Sequence, residues 1–148
     1  MADTMQFDLV SPERSLESRL VREVRLPGSD GDLTALPGHA PVILTLRPGM
    51  VTLVGDDGRA VEFVVTGGFA EISPEGVTLL AERGHGREEM TQAVFSSMMD
   101  EARSHHASVS QRDNGAGDAV DMAAKLLADM VAVGTHIGLD PNQASVPE

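Results

Sequence analysis

The 148-residue chain has no cysteine, no tryptophan and no tyrosine. Without thiols it forms no disulfide, no thiolate zinc site and no cysteine nucleophile. Four phenylalanines are its only aromatic rings, which excludes the stacking platforms of single-strand nucleic-acid binders. Positive charge is also scarce. Eleven basic residues stand against 23 acidic ones, a formal net charge of −12. General nucleic-acid binders and proteins that dock on anionic lipid carry the opposite sign. No stretch approaches the roughly 20 apolar residues of a membrane helix. The N-terminus lacks the basic and apolar regions of a secretory signal and the arginine-rich character of a transit peptide. The expectation is a protein that stays where it is made and reaches a membrane only through a protein partner.

With 41% apolar residues, the chain can bury a sizeable core. Its character changes near residue 86. Residues 1–86 hold 11 of the 15 glycines and 6 of the 8 prolines, whereas residues 87–140 contain no proline. Closely spaced breakers suit strands and turns, and their absence suits helices. Charge does not distinguish the halves: residues 1–86 carry 7 basic and 13 acidic groups, residues 87–148 carry 4 and 10. Two acidic domains are expected, with a boundary near Gly84-His85-Gly86.

The first domain reads as strands over 5–9, 20–26, 42–46, 50–54, 61–66, 69–73 and 77–81, rich in β-branched residues. Turn signals separate them, among them Pro27-Gly28, Asp30-Gly31, Pro48-Gly49, Gly67-Gly68 and Pro74-Glu75-Gly76. Asp57-Gly58 is the strongest hairpin signal. This spacing predicts a sandwich or barrel. The second domain reads as two helices. Over 87–109, Met90, Val94, Met98, Ala102 and Val109 follow helical spacing with Ala93 beside them, and Glu88 and Glu89 fall in the first turn. A polar loop over 110–117 follows. Asp118 is the expected N-cap of a second helix and Gly134 its C-terminal cap. Val120, Ala123, Ala124, Leu127, Met130 and Val131 form its stripe. The fold class is therefore β + α: an N-terminal antiparallel β-sandwich followed by a C-terminal two-helix antiparallel hairpin over 87–136. Residues 137–148, with two prolines, read as a mobile tail.

Reactive constellations are weak. His105 and His106 point about 100° apart on a helix and read as a solvated face rather than a metal site. Asp30-Gly31-Asp32 lacks the alternating oxygens and distal glutamate of a calcium loop and reads as a turn. No serine has a glycine elbow, and no phosphate-binding glycine pattern occurs. Methionines 90, 98, 122 and 130 read as helix-pair core. Five histidines scattered at 39, 85, 105, 106 and 136 give an enzyme little support. No metal, cofactor or catalytic residue is expected.

Longer strings say more. Phe7-Asp8-Leu9-Val10-Ser11-Pro12-Glu13-Arg14 is followed by Val24-Arg25-Leu26-Pro27-Gly28-Ser29-Asp30-Gly31-Asp32. Then come Leu36-Pro37-Gly38-His39-Ala40-Pro41-Val42, Leu46-Arg47-Pro48-Gly49 and Val65-Thr66-Gly67-Gly68-Phe69-Ala70-Glu71. Val77-Thr78-Leu79-Leu80-Ala81-Glu82 closes the series. In this order they resemble the epsilon subunit of F-type ATP synthases (delta in mitochondria), over about residues 5–83. The resemblance implies a non-catalytic central-stalk subunit whose sandwich binds the gamma subunit and sits on the c ring, coupling proton flow to ATP synthesis. It implies a peripheral place on the cytoplasmic face of a bacterial inner membrane, and an isolated chain that is monomeric. By the same resemblance, Asp30, Gly31 and Asp32 face the c ring, with Asp32 at the acidic contact position. His39 matches a histidine at the gamma interface, and Gly67-Gly68 serves backbone geometry.

Two departures shape the expected function. Some bacterial members bind ATP through Ile/Leu-Asp-x-x-Arg-Ala on the first helix. Here Met90, Thr91 and Val94 occupy the first, aspartate and arginine positions, so no nucleotide binding is expected. In many members basic residues of the second helix meet an acidic segment of the beta subunit and block hydrolysis. Residues 118–134 hold one lysine, Lys125, against Asp118, Asp121 and Asp129. Like charges oppose docking on the alpha/beta head. The hairpin is expected to stay folded against the sandwich, with weak or absent inhibition. The competing reading is a regulatory module that binds nucleotide or inhibits ATPase through the hairpin.

Overall fold

A computed structural model describes residues 4–112 and 117–140. Its backbone forms two compact units, one ending at Arg87 and the other beginning at Glu88. The first unit contains ten strands: β1 (Met5–Val10), β2 (Ser15–Val21), β3 (Glu23–Gly28), β4 (Gly31–Ala35), β5 (Val42–Leu46), β6 (Gly49–Val54), β7 (Ala60–Val65), β8 (Gly68–Ser73), β9 (Gly76–Ala81) and β10 (Gly84–Gly86). Pairing runs β10-β7-β6-β3-β5-β8-β9-β1-β2, with β4 on β3. All pairs are antiparallel except β1 with β9, so the sheet is mixed rather than wholly antiparallel. β3 and β5 share a single residue pair, Gly28 with Leu46. The pairing path folds over there, and one apolar core fills the space between the two layers. Phe7, Leu9, Ile72 and Leu79 enter it from one layer, and Val24, Leu26, Val51 and Leu53 from the other. Each such burial is worth about 1.5–3 kcal/mol, which makes this core the main source of stability.

Most expected strands appear within a residue of their predicted bounds. The run over 20–26 instead serves two strands, because it breaks at Arg22. Val21, Val24 and Leu26 are all buried, and a spacing of three between the first two cannot keep one phase along a continuous strand. Three strands were not expected. β2 is polar and mostly exposed, β4 overlaps the predicted turn at Asp30-Gly31-Asp32, and β10 is three residues long. The Asp57-Gly58 hairpin is present, with Gly58 at φ +81° closing the turn between β6 and β7.

A 3-10 turn (Arg87–Glu89) spans the boundary, and the second unit holds two helices, α1 (Gln92–Arg112) and α2 (Asp118–Ile137). Glu88 and Glu89 lie in the 3-10 turn, not in the first turn of α1. Thr91 is what caps α1: the Val94 amide donates to its Oγ1 at 3.2 Å. α1 runs through residues 110–112, predicted as loop, while residues 113–116 lie outside the described residues. Phe95 and Met99 are buried where Ala93 and Val94 were expected, and Ala93 is exposed. On α2, Val133 and Gly134 are buried and Ala124 is exposed. Met122 is exposed as well, unlike Met90, Met98 and Met130, which are buried.

Neither expected cap of α2 holds. Gly117 occupies the N-cap with no side-chain cap bond, and Asp118 begins the helix, where with Asp121 it lies in the first turn and complements the helix dipole. Gly138, in the left-handed conformation, is the C-cap. Gly134 lies inside α2, against the Phe95 ring: a Cβ there would fall 2.1 Å from its Cζ. The Gln92 amide and the backbone of Asp140 exchange two hydrogen bonds of 2.8 and 2.9 Å, which places the start of α1 beside the end of α2 and makes the hairpin antiparallel. Ile137 and residues 138–140 are therefore part of the fold. Residues 141–148, the rest of the expected tail, lie outside the described residues.

Alanine favours a helix over glycine by about 1 kcal/mol, yet overpacking costs about 1–3 kcal/mol. Gly134→Ala is therefore expected to destabilise the hairpin, read as earlier loss of helical circular dichroism on heating. Phe95→Leu in the same chain should recover part of that loss.

Candidate functional site

The acidic residues singled out in the sequence sit on the tip of the β3–β4 hairpin. The turn itself is Ser29-Asp30, closed by the Gly28–Gly31 pair, and Asp32 lies in β4. The tip is stitched to the chain around the end of β5. The Ser29 amide donates to the Thr45 carbonyl at 2.8 Å, and the Arg47 amide to the Pro27 carbonyl at 3.0 Å. Arg47 then reaches across. Its Nη1 donates to the Gly28 carbonyl at 2.5 Å and its Nη2 to Asp32 Oδ1 at 2.6 Å. Asp32 thus already has a cationic partner, while Asp30 has no ion pair among the described residues. The Asp32 side chain is 76% exposed and that of Arg47 30%, so the pair is well screened and worth less than about 1 kcal/mol. Its effect is positional: one guanidinium holds a carbonyl and a carboxylate of the tip. Fifteen residues separate the partners, and no local sequence pattern marks them.

His39 lies in the loop at the other end of β4, about 10 Å of strand away from Asp32. The two are not brought together. The ring is half-buried, and its Nδ1–H donates to the Ala40 carbonyl at 2.6 Å. That leaves Nε2 without a partner among the described residues. The Gly38 amide donates to the Pro74 carbonyl at 3.0 Å, which fastens this loop to the β8–β9 turn. Gly67 and Gly68 have φ of +138° and +128°, the backbone geometry expected of them, and a Cβ on Gly68 would also fall 2.0 Å from the Leu80 carbonyl oxygen.

A third feature was missed. Ile43, Phe69 and Leu80 point outward from β5, β8 and β9 at 77%, 57% and 51% exposure, far too open to belong to the core. Register sets Phe69 beside Leu80 and Leu80 beside Val10 of β1, making an apolar row across three strands. One step along the same face, Glu71, Thr78 and Asp8 form a polar row. The signal was in the alternation: with Ala70 and Ile72 inside, Phe69 has to face out.

The helix motif positions are Met90, Thr91 and Val94. Met90 is buried, Val94 is half-buried, and the Thr91 hydroxyl is occupied as the α1 cap.

The family model of the ATP synthase delta/epsilon chain β-sandwich domain matches residues 4–85. The chain belongs to this family. It is 66% identical over 147 residues to the ATP synthase epsilon chain of Paracoccus denitrificans, covering 99% of each chain. It is 59% identical over 139 residues to that of Rhodobacter capsulatus, covering 94% of this chain and all of the other. Similarity to epsilon chains thus extends through the hairpin as well as the sandwich. The same fold occurs in a chain of the Euglena gracilis mitochondrial ATP synthase, resolved with its c ring, at a TM-score of 0.69 and 17% identity, covering 92% of this chain and 82% of that one. A chain of the Tetrahymena thermophila central stalk and c ring matches at a TM-score of 0.58 and 15% identity, covering 89% and 94%. In this epsilon-family chain the charged tip, the His39 loop and the open face are three separate surfaces of one sandwich.

Arg47→Ala is expected to speed hydrogen exchange at the Ser29 amide several-fold while shifting the melting midpoint by only a few degrees, since the core is untouched. An unchanged Ser29 exchange rate would show that the tip holds itself.

Proposed function

We propose that this chain is a non-catalytic rotor subunit of a proton-translocating ATP synthase, peripheral to the cytoplasmic face of a bacterial inner membrane. Its sandwich joins the gamma subunit to the c ring and helps couple proton flow to ATP synthesis. The observation that carries this reading is the open apolar face around Phe69 and Leu80, on a sandwich whose family is that of ATP synthase epsilon chains. An aromatic ring left in water on a central strand is the mark of a surface built to be covered. The gamma subunit is the partner assigned to this face and to the His39 loop. The tip, with Asp30, Gly31 and Asp32, is assigned to the c ring. Arg47 fits that role by holding the tip in one shape before contact, which lowers the cost of ordering it on binding.

The hairpin is assigned weak or absent inhibition. Lys125, the lone lysine of α2, already bonds Asp129 at 2.9 Å, while Asp118 and Asp121 remain acidic neighbours. Little positive charge is left to meet an acidic segment of the catalytic head. No nucleotide is assigned to Met90, Thr91 and Val94, where the carboxylate and the cation of the ATP motif are both replaced.

Affinity recovery with full-length tagged chain from membranes of the source organism is expected to bring down gamma, alpha and beta subunits. Recovery of the chain without them, with the ATP synthase intact, would overturn the stalk reading. Removing residues 88–148 should leave ATP hydrolysis by the complex within about twofold; a rise of about tenfold or more would assign inhibition to the hairpin. Titration with ATP should give no saturating NMR shifts in residues 88–112, and saturation would favour a nucleotide-binding regulator instead.

A further inference from the structure

The open face of the sandwich is not uniformly apolar. The row Phe69–Leu80–Val10 runs across β8, β9 and β1, and the row Glu71–Thr78–Asp8 runs beside it. On one face of a strand, successive side chains stand about 6.6 Å apart, and strands lie about 4.8 Å apart. The two rows are therefore distinct: one is apolar, and the other carries two carboxylates and ends on β5 at Ile43, which pairs with Glu71. Beyond the second row the face sinks into a hollow of about 210 Å³, bordered by Asp8, Glu71 and Glu75 over Gly76 and Thr78. Gly76 is part of its lining, and a Cβ there would fall 2.3 Å from the Gln6 carbonyl oxygen. Asp8 accepts Ser18 Oγ at 2.7 Å and Gln6 Nε2 at 3.3 Å, both on Oδ1, which fixes the carboxylate and leaves Oδ2 open. Glu71 and Glu75 have no ion pair among the described residues.

We infer that this face takes a protein surface of defined chemistry: an apolar ridge seated on Phe69 and Leu80, bordered on one side by a lysine or arginine whose head enters the hollow between Asp8 and Glu71. Resting on the stalk reading above, that surface belongs to the gamma subunit. Charge decides among the occupants that an apolar face could accept. An anionic membrane or a nucleic acid would be repelled by the three carboxylates. A second copy of this chain would bring the same carboxylates to a shared two-fold contact. A cationic border satisfies them. The apolar row supplies affinity, and the carboxylates select a cationic partner.

The test measures binding of the full chain to the source organism's catalytic complex, gamma included, after this chain has been stripped from it. Wild-type affinity is expected to fall by about tenfold from low to high salt. Glu71→Lys should bind about tenfold more weakly at low salt and show a flattened salt dependence, with Glu71→Gln in between. Phe69→Ser should weaken binding equally at all salt concentrations. Salt-independent binding with Glu71→Lys equal to wild type, while Phe69→Ser still binds less well, would overturn the cationic border and leave the stalk reading intact. Failure of the wild-type chain to bind the stripped complex would overturn both. Glu71 is exposed, so its substitution leaves the core in place.

Discussion

The sandwich turns on the backbone of Gly28. This residue pairs with Gly31 across the hairpin and with Leu46 where the path folds from one layer to the other, and its carbonyl accepts the Arg47 guanidinium. A Cβ at this position would fall 2.4 Å from the Gly31 carbonyl oxygen and 3.1 Å from Leu44 Cδ1. Three strands can share the point only because no side chain is there. Once the layers are folded over, the inward residues of both close on one core. The outward residues of β8, β9 and β1 are left as an open face, and the β3–β4 tip projects from the fold-over itself. The candidate surfaces thus follow from the same constraint that creates the core.

Local chemistry made much of the sandwich legible. Alternation over 5–9 and 77–81 and the Asp57-Gly58 turn identify strands without reference to the rest of the chain, because one buried face imposes a period of two. The errors have a common cause in contacts distant along the chain. β2 is a strand because β1 pairs with it, although its own side chains are mostly polar and exposed. β4 is a strand because β3 and the Gly28–Gly31 closure hold it, and Asp30-Gly31-Asp32 alone reads as a turn. In the hairpin, Gly134 looks like a stop signal until Phe95 is placed against it. A glycine that relieves a clash and a glycine that ends a helix are the same letter.

The candidate site was legible to a different degree. Asp30, Gly31, Asp32 and His39 were identified through the resemblance, not through their own patterns. The structure separates the tip from the His39 loop by the length of β4. What no pattern conveyed was that Asp32 comes already paired, because Arg47 arrives from the far side of β5. Phe69 could have been identified from alternation alone, since its neighbours Ala70 and Ile72 fix the phase of the strand.

The division between these surfaces follows from what each can contribute. Screened surface charges such as Asp32 and Arg47 contribute less than about 1 kcal/mol, too little to hold a rotor subunit by themselves. Apolar area removed from water contributes about 25 cal/mol per Å², and Phe69 with Leu80 and Ile43 offers it on one continuous face. In the proposed assembly the open face therefore supplies the grip, and the charged tip sets the angle at which the sandwich meets the ring. A subunit that transmits rotation needs that separation. If grip and orientation shared one contact, every change of sequence at the ring would loosen the stalk. With the two at different places on a rigid sandwich, the tip can vary with the ring it meets while the face keeps its hold.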